Sequence, residues 1–227
     1  MAQSGPRDYI YVSRQKVDRL APQLSQSILK QIKSIDVKVM NVGAGVGLAD
    51  APGPHIVELA GALDQAIRES YNVRNAADDD LKPGHYIAGT ASLGYGVQVA
   101  QGNMAADAAV FIGRTLYHGL CLVGSASHML DRSVPTTDVT ACMSEPSAAV
   151  ALLSAAGDFI DRERIDSWLH FRYGFHCLHN EFAIHEFQLS YLARVHRVVD
   201  VSDGPGSDEL STYVIGTPLW VSLDVPD

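Results

Sequence analysis

Four of the chain's nine histidines, one of its three cysteines and two glutamates fall within HFRYGFHCLHNEFAIHEF, His170–Phe187. Imidazoles titrate near neutral pH, so such a stretch can ligate a metal, move protons or line a polar pocket. On a helix from Ile165 to about His179, Arg172, Tyr173 and His176 share a broad stripe with Trp168 and Leu169. That stripe would turn a guanidinium, a phenol and an imidazole toward the sheet the helix covers. His176 and Tyr173 then become proton-transfer candidates, and Arg172 a substrate anchor. His176 and His179 lie three apart and could give a zinc ion two ligands. A third ligand from Glu181, His185 or Glu186 requires the chain to fold back after Asn180, and no H-E-x-x-H or paired-cysteine motif is present. No metal is expected, and a His-liganded metal hydrolase is the last of the alternatives.

Two other places carry titratable groups. In GSASHM, read as a strand, His128 shares a face with Leu120, Leu122 and Ala126. An imidazole on an apolar face has a lowered pKa, as a general base near neutrality needs. On FQLSYLARVHRVVDV, Ser190, Arg194 and His196 line one face with Gln188, while Phe187, Leu189, Tyr191, Ala193 and Val195 line the other. Ser190, Arg194 and His196 are therefore candidate substrate-binding residues if that face borders a cavity. Ser13-Arg14-Gln15-Lys16 is formally S-x-x-K, but the S-x-N and K-T-G partners of that motif are absent and Ser13 reads as a helix cap. Gly43, Gly45 and Gly47 alternate strictly and run into Ala51-Pro52-Gly53-Pro54, which does not open a helix as a dinucleotide fingerprint must. No cofactor is expected.

The elements that would position these groups follow from periodicity. Tyr9–Ser13 reads as a strand. Ile56 to Val73 reads as an amphipathic helix with Leu59, Ala60, Leu63 and Ile67 on one face. Tyr86–Val99 alternates an apolar face (Ile87, Ala91, Leu93, Tyr95, Val97) with one of very small residues (Ala88, Thr90, Ser92, Gly94, Gly96). AAVFIGRTL and GLCLVGSASHML form a hairpin, Ser144-Glu145-Pro146 opens another helix, and Phe187–Val201 and TYVIGTPLWVSLDV are late strands. The expected fold is α+β: a largely antiparallel sheet packed against about four helices, one domain over residues 1–227.

Bulk properties narrow the class. A net charge of −9 disfavours nucleic-acid binding, although residues 1–40 hold seven Lys/Arg against three Asp and could offer a basic face to a protein partner. Three cysteines without repeated spacing fit a reducing compartment, and no run approaches the ~20 apolar residues of a membrane span. A cytoplasmic, soluble protein is expected.

Three blocks, YIYVSRQKVDRL, YIAGTASLGYG and VFIGRTLYHGLCLVGSASHML, together resemble an uncharacterised family of bacterial proteins over about residues 9–130. The resemblance implies a shared domain and no nameable activity. The expected function is small-molecule binding, with cofactor-independent acid–base chemistry (cyclisation, isomerisation or hydrolysis) in an aromatic and His-lined pocket. A non-catalytic regulatory or protein-interaction module is the alternative.

Overall fold

The strand from Tyr86 to Gln98 holds the architecture together, because it changes partners along its length. It pairs with one neighbour over Tyr86–Gly94 and with another over Leu93–Gln98. The computed structural model describes residues 8–13, 16, 19–20, 54–98, 107–115, 118–130, 136–137, 175–176, 178–180, 182, 186–200, 210 and 212–223. In chain order these give β1 (Asp8–Val12), α1 (Pro54–Ser70), β2 (Tyr86–Gln98), β3 (Ala108–Arg114), β4 (His118–Ser125), a 3-10 turn (Ala126–His128), β5 (Thr136–Thr137), β6 (Glu186–Asp200) and β7 (Thr212–Leu223).

Five of the strands close on themselves. β2 pairs with β3, β3 with β4, β4 with β7, β7 with β6, and β6 returns to β2. Four of these pairings are antiparallel and β4–β7 is parallel. β2, β3 and β4 follow one another, and β6 comes back by a long connection to lie beside β2, which is the Greek-key arrangement. β7 then fills the remaining gap and shuts the ring. β1 continues the edge of β7 beyond the point where β4 stops, with Val12 opposite Trp220.

Alternation along the strands sorts the side chains. Ile87, Leu93 and Tyr95 of β2, Phe111 of β3, Leu120 and Leu122 of β4, Leu189, Tyr191 and Val195 of β6, and Val214 of β7 fill the barrel as one cluster. The outer wall is covered in two places. Pro54 stands at the first position of α1, where its missing N–H costs nothing. α1 lays Ala60, Leu63, Ala66 and Ile67 against Leu192, Leu219, Trp220 and Val12. Leu63 and Ile67 each contribute about 1.5–3 kcal/mol by leaving water. Phe175, Leu178 and Phe182, in helical residues between 175 and 182, cover Val110, Ile112, Cys121 and Ile215.

The α+β sheet under four helices is therefore overturned. The sheet closes into a barrel, so the main core is its lumen. Helix among the described residues is confined to α1 and short stretches near 16–20 and between 175 and 182. The strand positions at Tyr9, Tyr86, Ala108, Phe187 and Thr212 agree with the sequence reading. Its small-residue face on β2 lies outside the lumen. There Ala88 packs under α1, and a Cβ on Gly94 would run into the backbone of Phe182. The glycine-alternating segment at 43–47 and the helix opened by Pro146 lie outside the described residues.

Candidate functional site

A cleft of about 390 Å³ opens where α1 ends and β2 begins, lined by Tyr71, Asn72, Arg74, Asp80, Lys82, Gly84, His85 and Tyr86. Local chemistry shapes its rim. Lys82-Pro83-Gly84-His85 is a turn closed by the His85 N–H donating to the Lys82 carbonyl at 3.1 Å, with Gly84 at φ 93°. Proline then glycine at the two centre positions is the type II signature, since only glycine adopts that φ freely. The turn bonds to β6, with Gly84 N–H donating to Val195 O and Val195 N–H to His85 O, both at 2.8 Å. Opposite, Asn75 folds its side chain back to accept the Ala77 N–H at 2.9 Å, and Arg74 bridges to the edge of β2 beside Ile87.

The cleft has an aromatic wall and an unequal distribution of charge. The rings of Tyr71 and Tyr86 lie 4.9 Å apart, tilted by 52°. Arg74 is engaged by two carboxylates, in a tight ion pair with Asp80 and at 3.7 Å from Asp78. Lys82 is exposed, and no carboxylate among the described residues pairs with it. Arg194, opposite Tyr86 in the β2–β6 ladder, extends its guanidinium to within 3.9 Å of where a Cβ on Gly84 would stand. Burial raises the Tyr86 pKa, the Arg194 charge opposes that shift and Tyr71 adds to it. The Lys82 N–H donates to His85 Nδ1 at 3.3 Å, so in the neutral ring Nε2 carries the proton and can donate into the cleft.

A second cluster lies at the seam where β4 leaves β7 and β1 takes over its edge. Lys16 donates to the Pro218 carbonyl at 2.8 Å. Burial lowers its pKa to about 8. Tyr11 Oη stands 3.4 Å from His128 Nδ1, their rings edge-on at 5.9 Å. Burial pushes the Tyr11 phenol up to about 12, against hydrogen bonds to the Ser13 side chain and the Ser125 backbone that work the other way. The His128 pKa is lowered by burial and then by the Lys16 charge. His196 sits in the register shift between Val195 and Arg197, an irregularity that re-aims side chains. It is exposed at the residue level, yet the protein packed about its ring is the first cause of its lowered pKa, followed by the charges of Lys16, Arg194 and Arg197.

His128 and His196 thus both feel the Lys16 charge, and His196 also that of Arg194, whose guanidinium reaches the rim of the cleft. Ser190 lies apart, its hydroxyl 2.9 Å from that of Thr90. His176 is exposed, because Phe175, Leu178 and Phe182 take the faces that meet the barrel. His179 lies 3.4 Å from Glu186, and its pKa is lowered chiefly by burial, with Glu186 opposing. Arg172 and Tyr173 lie outside the described residues, as do His170, Glu181 and His185. Among the described residues no three His, Cys, Asp or Glu are grouped to hold a metal. Sequence reasoning missed Tyr71, Arg74, Lys82, His85 and Tyr86, although K-P-G directly before a strand marks a turn that re-enters a sheet. It read Ser13 of the S-x-x-K segment as a helix cap and Lys16 as part of the basic N-terminal stretch.

A family model described as a family of unknown function (DUF7019) matches residues 7–224. The chain belongs to that family. No curated protein and no solved structure matches the DUF7019 chain. No helix among its described residues is long and apolar enough to cross a membrane. Membership carries no activity, so the functional reading of the DUF7019 chain rests on the cleft.

Proposed function

We propose that the protein binds a small planar molecule bearing an acidic group in the cleft between α1 and the start of β2. One observation carries the reading: the concavity combines a two-tyrosine wall with two cations, Lys82 and the neighbouring Arg194, that pair with no carboxylate among the described residues. A volume near 390 Å³ suits a ligand of one or two rings. The planar part packs against Tyr71 and Tyr86, and the acidic group meets Lys82 and Arg194, because Asp80 and Asp78 already engage Arg74. His85 offers a hydrogen-bond donor and a group for proton transfer.

The test is a thermal-shift and NMR screen of aromatic carboxylates and aryl phosphates. Hits should lose about tenfold in affinity in Arg194→Ala, the value of one charge-assisted hydrogen bond. Unchanged affinity in both Arg194→Ala and Lys82→Ala, or no hits at all, would sink the reading.

A further inference from the structure

The basic groups of the cleft gather round a single turn. Lys82 and His85 are its two ends, which in a β-turn lie within about 7 Å of each other. Between them Gly84 turns its bare face to Arg194, whose guanidinium comes within 3.9 Å of where a Cβ would stand. The Gly84 N–H and the His85 carbonyl both bond to Val195, so the turn is pinned to β6 directly beside Arg194. An ammonium, a guanidinium and an imidazole Nε2–H are thereby held together at one end of the cleft. Among the described residues Asp80 is the only carboxylate in the lining, and it is taken by Arg74.

An acid entering this end meets two positive charges and a third donor. A carboxylate brings one charge and two oxygens in a plane, which match the flat fork of a guanidinium. Such a group satisfies Arg194 and leaves the compact ammonium of Lys82 uncompensated. A phosphate monoester brings a charge of about −1.5 to −2 at neutral pH and three strong acceptor oxygens. Two of those oxygens suit the fork, and the third lies out of their line, free for Lys82 or His85.

We propose, building on the reading of this cleft as an acid-binding site, that its ligand is a phosphate monoester of a small ring compound. Arg194 takes the phosphate by its fork, Lys82 balances the second charge, and the His85 Nε2–H donates to a remaining oxygen. The ring lies against Tyr71 and Tyr86.

A matched set of ligands tests this on the full chain, with binding followed by NMR titration at pH 8. Benzoate, benzenesulfonate and phenylphosphonate share one ring, and only the phosphonate carries a second charge. It should bind about tenfold more tightly than benzoate, the value of one further charge-assisted hydrogen bond, and the singly charged sulfonate should stay near benzoate. Lys82 is exposed, so Lys82→Ala leaves the fold intact. That variant should bring the phosphonate down to the level of benzoate and leave benzoate within twofold of wild type. Arg194→Ala should weaken both about tenfold. A phosphonate no tighter than benzoate, or an advantage that survives Lys82→Ala, would overturn the phosphate assignment. The acid-binding reading would still stand, because both ligands would depend on Arg194. A sulfonate as tight as the phosphonate would overturn the two-charge argument, and no binding by any of the three would overturn both readings.

Discussion

Gly113→Ala should lower the stability of the barrel by about 3 kcal/mol, the upper end of what overpacking costs. Gly113 stands opposite Leu93, at the place on β2 where pairing passes from β6 to β3. A Cβ there would collide with the Ser92 carbonyl and lie 2.8 Å from a Leu93 methyl and 3.2 Å from its Cα. Two of these three obstacles are backbone, which can yield only if the β2–β3 ladder shifts. Glycine in a strand commonly marks such a tight corner of a barrel. Urea denaturation should show a lower midpoint with an unchanged slope, and Tm should fall by roughly 6–12 °C. Gly61 on α1 is the control, since nothing lies within 4 Å of a Cβ added there. Gly61→Ala should stabilise by about 0.8 kcal/mol through helix propensity. If the two variants shift the midpoint alike, the barrel corner is not where the strain lies.

The same corner shows why strands were legible in this sequence and their closure was not. Strict alternation over Tyr86–Gln98 and Phe187–Asp200 reports two faces, and local periodicity suffices to find both. Whether a sheet stays open or closes depends on which distant strand meets each edge. That is settled by the return of β6 between β2 and β7, across a long connection. An apolar outer face at Leu192 and Trp220 fits a sheet under several helices as well as a barrel wall under one. At α1 the stripe through Leu63 and Ile67 was clear, with the observed start two residues earlier at Pro54.

The site residues fared according to how local their cues were. The outward face of Arg194 and His196 was legible because Leu189 and Tyr191 had to point into the core. His128 was placed on a strand, but β4 ends at Ser125. The Ser125 side chain accepts the Ser127 N–H, and the two hydroxyls lie 2.8 Å apart. Such serine turns compete with the ladder and swing His128 toward Tyr11. Phe187, assigned to the inner face, is 44 % exposed and reaches only the rim, against Tyr95. The burial of Lys16 was not legible from its S-x-x-K segment, since its hydrogen-bond partner Pro218 lies far away in sequence.

Lys16→Met should raise the Tm at pH 7 by roughly 4–8 °C, corresponding to about 2 kcal/mol in a domain of this size. Burial alone moves the Lys16 pKa from 10.5 to about 8. The folded state therefore holds this proton less tightly than the unfolded chain does. Below pH 8 both states are charged and the full desolvation penalty applies. Between pH 8 and 10.5 the unfolded state binds more protons, so this group's contribution to stability rises with pH. Above 10.5 the penalty is gone, and methionine should confer no advantage. Tyr11 and Cys121, both pushed up to about 12 by burial, lose stability as the pH climbs over the upper part of the same range. The quantity to measure is thus the difference between wild type and Lys16→Met, pH by pH. The substitution should also let His128 and His196 titrate at higher pH, because the Lys16 charge depresses both, and NMR of the imidazole protons reads that directly. A variant less stable than wild type at pH 7, or a difference flat from pH 7 to 10.5, would show that Lys16 is a structural cation satisfied by Pro218. A difference that closes with rising pH would mean that the fold bears the cost of desolvating a charged lysine at this seam.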